Sequence, residues 1–249
     1  MMNKRFEELI DMIGLGTLIN TGAILLGGIG GLLFGAHIEK RYQETLMSAI
    51  GICVLFLGII GTIEKVFVVN SGELVSGHTM MMIASLAVGA LIGEFLNIEG
   101  HLEHFGEWLK KVTKSQEDNA FVEAFVTTTL TICIGAMAIV GAIQDGLTGD
   151  ISTLQAKAIL DAIIVLIMSA SQGKGCLFAA IPVFIFQGSM TLLAKVIEPI
   201  LTPAAFTNLS LVGSVLIFCI GVNLVWGKKV KTANLLPAIV IAVICSYII

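Results

Sequence analysis

Residues 15–36 read LGTLINTGAILLGGIGGLLFGA and contain no charged side chain. A run of this kind matches the roughly 17–25 apolar residues with which an α-helix crosses the hydrocarbon core of a bilayer. A helix also satisfies its backbone hydrogen bonds internally, which lipid cannot do for it. The run leads into the charged turn 39–41 and lacks the small-residue cleavage site of a secretory signal, so we expect it to remain as a membrane span.

Seven further apolar runs follow, at about residues 46–63, 79–97, 121–143, 156–170, 176–194, 208–226 and 232–249. The composition agrees with them, since 56% of the residues are hydrophobic and 13% charged, against about 25% charged in soluble domains. We therefore predict an all-α polytopic membrane protein with about eight spans in one transmembrane domain, residues 13–249. Residues 1–12 are polar and form a predicted extension, so that Met1 and Met12 are both compatible with the native start.

Basic residues are unevenly divided between alternate connections. The odd-numbered connections carry nine of them: Lys40, Arg41, Lys110, Lys111, Lys114, Lys174, Lys228, Lys229 and Lys231. The other side carries five, at Lys4, Arg5, Lys65, Lys157 and Lys195. The positive-inside rule then predicts odd-numbered loops in the cytoplasm and both termini outside.

The longest connection, residues 98–120, has an amphipathic pattern. Its apolar residues recur at helical spacing, at Ile98, Leu102, Phe105, Leu109 and Val112. This pattern predicts a helix over about residues 98–115 that lies in the membrane interface, with Trp108 at headgroup depth. The alternative is a solvent-exposed helix packed on another loop.

Short stretches of sequence recur along the chain. Residues 31–35 (GLLFG) resemble residues 89–93 (GALIG), and residues 48–51 (SAIG) resemble residues 210–213 (SLVG). Pairing spans 1–3 with spans 6–8 would make an inverted repeat, because odd and even spans run in opposite directions. Many secondary transporters are built in this way. Chance similarity between helices rich in glycine, isoleucine and leucine is the alternative.

Glycines are concentrated in the first span, at Gly27, Gly28, Gly30, Gly31 and Gly35. Small residues at this spacing let helix backbones approach closely in membranes. Packing within one chain and a homodimer are both compatible with the pattern.

The fourth span ends in GAIQDGLTGD, residues 141–150. Glycines free the backbone there, so that carbonyl groups could converge with the Asp145 carboxylate on a cation. An ordinary capped turn, with Asp150 at the start of the next helix, is the other interpretation.

Asp161 is the clearest candidate for an acid at membrane depth. It lies one helical turn after Lys157, so one interpretation is an i,i+4 ion pair near the membrane boundary. The other is that Asp161 faces the bundle interior and binds a cation or exchanges a proton, because unpaired ionisable groups in hydrocarbon are costly.

Four amide side chains extend the candidate site. Gln172 lies in the stretch SASQGKG, and Gln187 in a span that also contains Pro182; interrupted segments of this kind often line transport sites. Asn20 and Asn223 lie within spans and need partners there, for which hydrogen bonding between helices is the simpler role.

Other functional classes have little support. The net charge is −4, and no basic cluster with aromatics indicates nucleic-acid binding. The five cysteines lie in apolar runs and the histidines lack a third ligand, so we predict neither a metal nor a cofactor. No serine, cysteine or histidine pairs as nucleophile and base, and we do not expect an enzyme.

Five strings carry a resemblance to a known family: GTLINTGAILLGG (16–28), VGALIGEFLNIE (88–99), ICIGAMAIVGAIQDGLTGD (132–150), IPVFIFQGSMTLLA (181–194) and KKVKTANLLPA (228–238). From about Met12 to the C-terminus the chain resembles the YqgA/YdfK-like membrane proteins of bacteria. The resemblance implies a bacterial inner-membrane location and a domain of unknown function that is sometimes assigned to transport. It supplies no catalytic residues.

Together these patterns favour a secondary transporter whose partners are the lipid bilayer and a small solute or ion. The predicted site lies in spans four to six and their inverted counterparts, with Asp145 and Asp161 coupling to a cation or proton and Gln172 and Gln187 binding substrate. An ion channel and a non-transporting assembly or regulatory protein are the alternatives.

Overall fold

The computed structural model of the chain describes residues 13–35, 39–70 and 73–247. Within these residues, six helices are long and apolar enough to cross a membrane, and a bent pair of helices would be a seventh span. The protein is therefore an all-α polytopic membrane protein, as predicted, whereas the count of eight spans stays a prediction. The predicted extension 1–12 lies outside the described residues.

In chain order the α-helices are α1 (Leu15–Gly35), α2 (Lys40–Val66), α3 (Thr79–Leu96), α4 (Ile98–Val112), α5 (Phe121–Cys133), α6 (Ala136–Thr148), α7 (Ser152–Gln172), α8 (Ala180–Leu192), α9 (Ala194–Ile197), α10 (Pro203–Trp226) and α11 (Pro237–Cys245). Short 3₁₀ helices cover Lys174–Ala179, Glu198–Ile200 and Thr232–Leu235. An antiparallel hairpin, β1 (Phe67–Asn70) and β2 (Glu73–Ser76), connects α2 to α3.

Every predicted apolar run contains a helix, but two runs differ in detail from the prediction. The fourth run is broken, because α5 and α6 meet at a bend of 61° beside Gly135. The fifth is longer than predicted, since α7 continues through Gln172 and ends at Gly173. Gly173 has a φ of 88°, a backbone conformation that favours glycine and stops the helix.

The described residues form two compact units. The first contains α1, α5, nearly all of α6, and α7 to α9. In it, a Cβ on Gly27, Gly31 or Gly35 of α1 would lie 2.1–2.6 Å from a carbonyl oxygen of α7. The facing carbonyls belong, in the same order, to Ala162, Leu166 and Ala170. Because the residue numbers rise in the same direction on both helices, α1 and α7 run parallel. The predicted glycine face is therefore used for packing within the chain.

The second unit contains most of α2, together with α3, α10, α11 and most of α4. Glycines again mark its close helix contacts. On α2, Gly51 faces Val225 and Gly58 faces Phe218. On α3, Gly89 faces Ala238 and Gly93 faces Asn234. In both pairs of helices, the residue numbers rise along one helix while those of the facing residues fall. Helix α2 therefore runs antiparallel to α10, and α3 runs antiparallel to α11.

Helix α4 occupies the connection in which an amphipathic helix was predicted. Leu109 is buried, whereas Trp108 is 55% exposed and stacks on Phe105 with ring centroids 5.6 Å apart. An exposed indole on this helix is compatible with contact to lipid headgroups. Its position in the membrane interface stays a prediction.

Two stretches share a local geometry. In each, a long helix ends at a glycine with positive φ, Gly173 (88°) or Gly227 (75°), and a 3₁₀ helix and a proline-containing helix follow. The prolines are Pro182 in α8 and Pro237 in α11. By this similarity, the segment α7–α8 corresponds to the segment α10–α11. The predicted repeat instead matched spans 1–3 with spans 6–8. The inverted repeat stays a prediction.

Candidate functional site

Three helices of the first unit bring together side chains that are distant in sequence. Asn20 Nδ2 on α1 donates to Asp161 Oδ2 on α7 and to Gln187 Oε1 on α8, at 3.1 Å in each case. Asn20 and Gln187 are fully buried, and Asp161 is 4% exposed. Three of the residues selected from the sequence therefore meet in one hydrogen-bonded group.

Lys157 completes this group, and we name Asn20, Lys157, Asp161 and Gln187 the polar cluster. The Lys157 ammonium donates to Asp161 Oδ2 and, at 2.8 Å, to the backbone carbonyl of Ile132. Lys157 is only 6% exposed. The i,i+4 pair considered from the sequence is thus present, but it is buried within the unit.

The carbonyl of Ile132 is available because α5 ends one residue later, at Cys133. The last four carbonyls of an α-helix have no partner within that helix. The end that carries them is also the negative end of the helix dipole, which stabilises a cation. The break between α5 and α6 therefore creates an environment that suits the Lys157 ammonium.

The two amides of the polar cluster each retain an unpaired atom. Asn20 Oδ1 and Gln187 Nε2 are buried and have no hydrogen-bond partner. A buried polar atom without a partner costs about 1–3 kcal/mol. One acceptor and one donor therefore remain available inside the unit beside the ion pair.

The polar cluster lies between a polar and an apolar layer. On one side, the hydroxyls of Thr17 and Thr191 are 3.4 Å apart. On the other side, Ile24, Val165 and Val183 are each fully buried and belong to one hydrophobic cluster. Because Val165 follows Asp161 by four residues, the apolar layer lies about 6 Å from the polar cluster along α7.

Polar groups reappear beyond the apolar layer. Ser169 follows Val165 by one more turn of α7, and its buried hydroxyl has no partner. Thr128 is fully buried, and its hydroxyl lies 3.7 Å from the sulfur of Met168. The interior of the first unit therefore alternates between polar and apolar along the helices.

Asp145, another residue selected from the sequence, has a different position. Its two carboxylate oxygens accept hydrogen bonds from the backbone N–H groups of Gly14 and Gly16, at 3.0 and 3.1 Å. It is fully buried and caps the start of α1, whose first N–H groups lack helical partners. Asp150 lies just before α7, whose N-cap residue is Ile151 and not Asp150. The Asp150 carboxylate accepts a hydrogen bond from the backbone N–H of Ser152, which lowers the pKa of Asp150.

The remaining two selected residues lie outside the polar cluster. Gln172 is half-buried near the end of α7, where its Oε1 lies 3.8 Å from the thiol of Cys176. Asn223 belongs to the second unit, and its Oδ1 accepts from the backbone N–H groups of Lys229 and Val230 at 2.8 and 2.9 Å. Asn223 therefore holds the turn that follows α10.

The second unit has a charged group of its own, in which Lys228 contacts both Glu99 and Glu103. The Lys228–Glu99 distance is 2.7 Å, and Glu99 is only 3% exposed. Partial burial by itself would lower the pKa of Lys228, but the hydrogen bonds to Glu103 and Glu99 outweigh it and raise that pKa. The lysine therefore stays charged at neutral pH.

A second lysine of the same turn extends this group. Lys231 lies 2.7 Å from Glu94, and Asn234 Nδ2 donates to the same carboxylate at 2.7 Å. Asn234 Oδ1 accepts from the backbone N–H of Glu99 at 2.8 Å. The end of α3, the start of α4 and the turn after α10 are tied together in this way.

Sequence reasoning missed this second group, although a signal was present. Each of the strings 88–99 and 228–238 contains charges of one sign, Glu94 and Glu99 in the first and three lysines in the second. Both strings carry the family resemblance, and their opposite charges are the only sequence signal for the contact. The remaining three strings supply Asn20, Asp145 and Gln187 to the first unit.

Comparison with known proteins supports the resemblance. The family model described as "Protein of unknown function (DUF554)" matches residues 15–247. The chain is 32% identical over 234 residues to the "Uncharacterized membrane protein YdfK" of Bacillus subtilis (strain 168), covering 94% of this chain and 96% of that protein. It is 30% identical over 232 residues to the "Uncharacterized protein YqgA" of Escherichia coli (strain K12), covering 92% and 94%. No solved structure matches. The chain is therefore similar to YdfK and YqgA over almost its whole length, and it belongs to the DUF554 family.

Proposed function

We propose that this multi-span membrane protein is a secondary transporter of a small solute or ion, and that the polar cluster of the first unit is its binding site. The observation that carries the proposal is the burial of Lys157 and Asp161, at 6% and 4% exposure, on a helix long enough to span the membrane. Ionisable residues within such helices usually belong to solute or proton pathways.

A purely structural role explains the ion pair less well. Transfer of each charge out of water costs several kcal/mol, and the attraction between the two charges repays this only with good geometry. Replacing a buried ion pair by apolar residues of similar volume often leaves the stability of a protein unchanged or increases it. A role in solute transport therefore explains the Lys157–Asp161 pair better than a contribution to the stability of the fold.

The unpaired amide atoms support a ligand of matching chemistry. Asn20 Oδ1 can accept and Gln187 Nε2 can donate a hydrogen bond, and both atoms are buried beside the ion pair. A bound solute that satisfies them would remove the cost of leaving them unpaired.

The apolar layer favours a carrier over a channel. Ile24, Val165 and Val183 are fully buried and follow the polar cluster along the helices of the first unit. An open channel needs a continuous wet path, whereas a carrier keeps its site closed on one side at a time. This layer is the part of the first unit that would have to separate during transport.

We also propose a location and an orientation. The bacterial relatives support a bacterial inner-membrane location. The excess of lysine and arginine in the odd-numbered connections supports an orientation with those connections in the cytoplasm and both termini outside.

Flux into proteoliposomes tests the proposal. Purified protein is reconstituted and exposed to gradients of H⁺, Na⁺, K⁺, neutral and acidic amino acids, and small organic acids, while solid-supported membrane currents and internal pH are recorded. The test variant combines Lys157→Met with Asp161→Asn, which removes both buried charges together. We expect wild-type protein to give a saturable signal for at least one solute and the double variant to lose it by tenfold or more.

Glu107→Gln is the matched control, because Glu107 is exposed on α4 and lies outside the polar cluster. It should transport like the wild type. Equal fluxes in the wild type and the double variant would remove the polar cluster from the mechanism. Signals no larger than those of protein-free liposomes across the whole panel would contradict transport of these solutes.

A further inference from the structure

We propose that the Lys157 ammonium occupies a binding site for a small monovalent cation, and that Na⁺ or K⁺ takes its place when the lysine swings away. This inference rests on the proposed function, because it assigns the ligand class of the same site. It adds a role for Lys157 that transport does not require: its ammonium and the cation compete for the same site.

The atoms around the ammonium are those that bind hard cations. The Ile132 carbonyl oxygen lies 2.8 Å from Lys157 Nζ, and the Asp161 carboxylate contacts the same nitrogen. Asn20 bonds to the same carboxylate and has a buried Oδ1 with no hydrogen-bond partner. Carboxylate, carbonyl and amide oxygens are the ligands that such ions prefer.

The interrupted helix strengthens the assignment. Ile132 is the second-last residue of α5, so its carbonyl lies at the negative end of that helix. Unwound carbonyls and the C-terminal ends of broken helices coordinate coupling ions in transporters built from discontinuous helices. In this protein an ammonium group lies at that position.

The charge balance selects a monovalent cation. Lys157 and Asp161 carry one positive and one negative charge, so the exchange of the ammonium for Na⁺ or K⁺ keeps the site neutral. A divalent ion would leave an excess positive charge in a buried site, and an anion would meet the Asp161 carboxylate. Both alternatives are costly where water is excluded.

Lys157 also has the reach that the exchange needs. It lies five residues after Ser152, the first residue of α7, and therefore about 8 Å from the helix end. A lysine side chain is long and flexible enough to carry its ammonium most of that distance towards water. The swing vacates the site without moving the backbone.

Thermal unfolding of the full-length protein in detergent tests the exchange. Lys157→Met is compared with wild type in NaCl, KCl and choline chloride at equal ionic strength, and Lys111→Met, at an exposed position on α4, is the control. We expect Na⁺ or K⁺ to raise the Tm of Lys157→Met relative to choline by about 5–10 °C at 100 times the Kd. The control and the Lys157→Met/Asp161→Asn double variant should show no such difference.

A measurement on wild-type protein keeps the proposal testable should Lys157→Met fail to fold. Reductive methylation followed by mass spectrometry reports whether the Lys157 ammonium is accessible. Na⁺ or K⁺ should increase the labelling of Lys157 at least threefold over choline and leave Lys111 unchanged. Labelling that is the same in all three salts would overturn the proposal, as would a Tm of Lys157→Met that does not depend on the salt.

The outcomes also separate this inference from transport itself. Stabilisation of Lys157→Met by Na⁺ or K⁺, combined with no flux of any solute in wild-type proteoliposomes, would keep the cation site and reject the transporter. Flux that depends on the polar cluster, combined with no effect of either ion on Tm or labelling, would keep the transporter and reject the cation site.

Discussion

At the scale of single residues, the partner of each buried acid distinguishes its role. Asp161 is paired with a lysine and an amide, whereas Asp145 is bound to the backbone N–H groups that begin α1. The sequence suggested the same role for both acids, because Asp145 lies at the end of the fourth predicted span and Asp161 lies within the fifth. Only the fold distinguishes them, since the Asp145 partners are 131 and 129 residues away.

The ion pair predicts an asymmetry between single and double substitutions. Asp161→Asn removes the counter-charge of the Lys157 ammonium, and a buried ammonium without a counter-charge typically costs about 3–5 kcal/mol. We expect this variant to lose roughly 6–20 °C in Tm, because 1 kcal/mol corresponds to about 2–4 °C in a chain of this size. The double variant Lys157→Met/Asp161→Asn should regain most of the loss, as followed by the loss of helical circular dichroism on heating.

Glu107→Gln serves as the control here as well, and it should unfold at the wild-type temperature. A single Asp161→Asn variant as stable as wild type would mean that the ammonium finds another partner or swings out to water at little cost. That result would weaken the account of Lys157 and Asp161 as a closed pair.

At the scale of secondary-structure elements, glycine determines which helices lie closest. Gly31 of α1 lies so near α7 that a Cβ would come 2.1 Å from the Leu166 carbonyl oxygen. Gly22, on the same helix, has no atom within 4 Å of the position of its missing Cβ. The sequence predicted a packing face from the spacing of the glycines, but not its partner, because many apolar helices could have offered one.

These two glycines predict opposite effects of the same substitution. Gly31→Ala forces α1 and α7 apart, and overpacking of this kind costs about 1–3 kcal/mol. Gly22→Ala meets open space and gains helix propensity of about 0.5–1 kcal/mol. Thermal unfolding in detergent should therefore show a lower Tm for Gly31→Ala and an equal or higher Tm for Gly22→Ala. The same change in Tm for both would contradict the close contact of α1 with α7.

At the scale of the whole molecule, the parallel packing of α1 and α7 constrains the path of the chain through the membrane. Helices α2 and α3 lie between them in sequence, and each is long enough to span. If the bent pair α5–α6 returned to the side from which it started, α7 would run antiparallel to α1. We therefore expect the pair to cross once, despite its bend of 61°.

Cysteine accessibility tests this expectation. In a variant from which the five native cysteines have been removed, single cysteines replace Gln116, before α5, and Thr148, at the end of α6. Both positions are exposed. A membrane-impermeant maleimide should label Thr148→Cys from outside intact cells and Gln116→Cys only after the membrane is opened. Labelling of both from the same side would show a re-entrant pair.

The spans could be predicted from the sequence because apolar length is a local property of the chain. Asn20, Asp161 and Gln187 could be selected from the sequence one by one, but their contact could not be predicted. Asn20 lies 141 residues from Asp161 and 167 from Gln187, and no local sequence pattern indicates which faces of distant helices pack together. The break at Gly135 was also missed, because residues 121–143 are predominantly apolar and a helix was expected to continue across that glycine.

The closed Lys157–Asp161 pair has an electrical consequence, because it carries no net charge. Moving one elementary charge through a potential difference of 100 mV involves about 2.3 kcal/mol of work. While the pair is closed, α7 can shift across the membrane field without such work. Once a cation occupies the place of the ammonium, the site stays neutral, and the withdrawn Lys157 ammonium is the one added charge on α7. Membrane voltage then acts on the loaded protein to the extent that this ammonium moves within the field, whereas the empty protein shifts without electrical work.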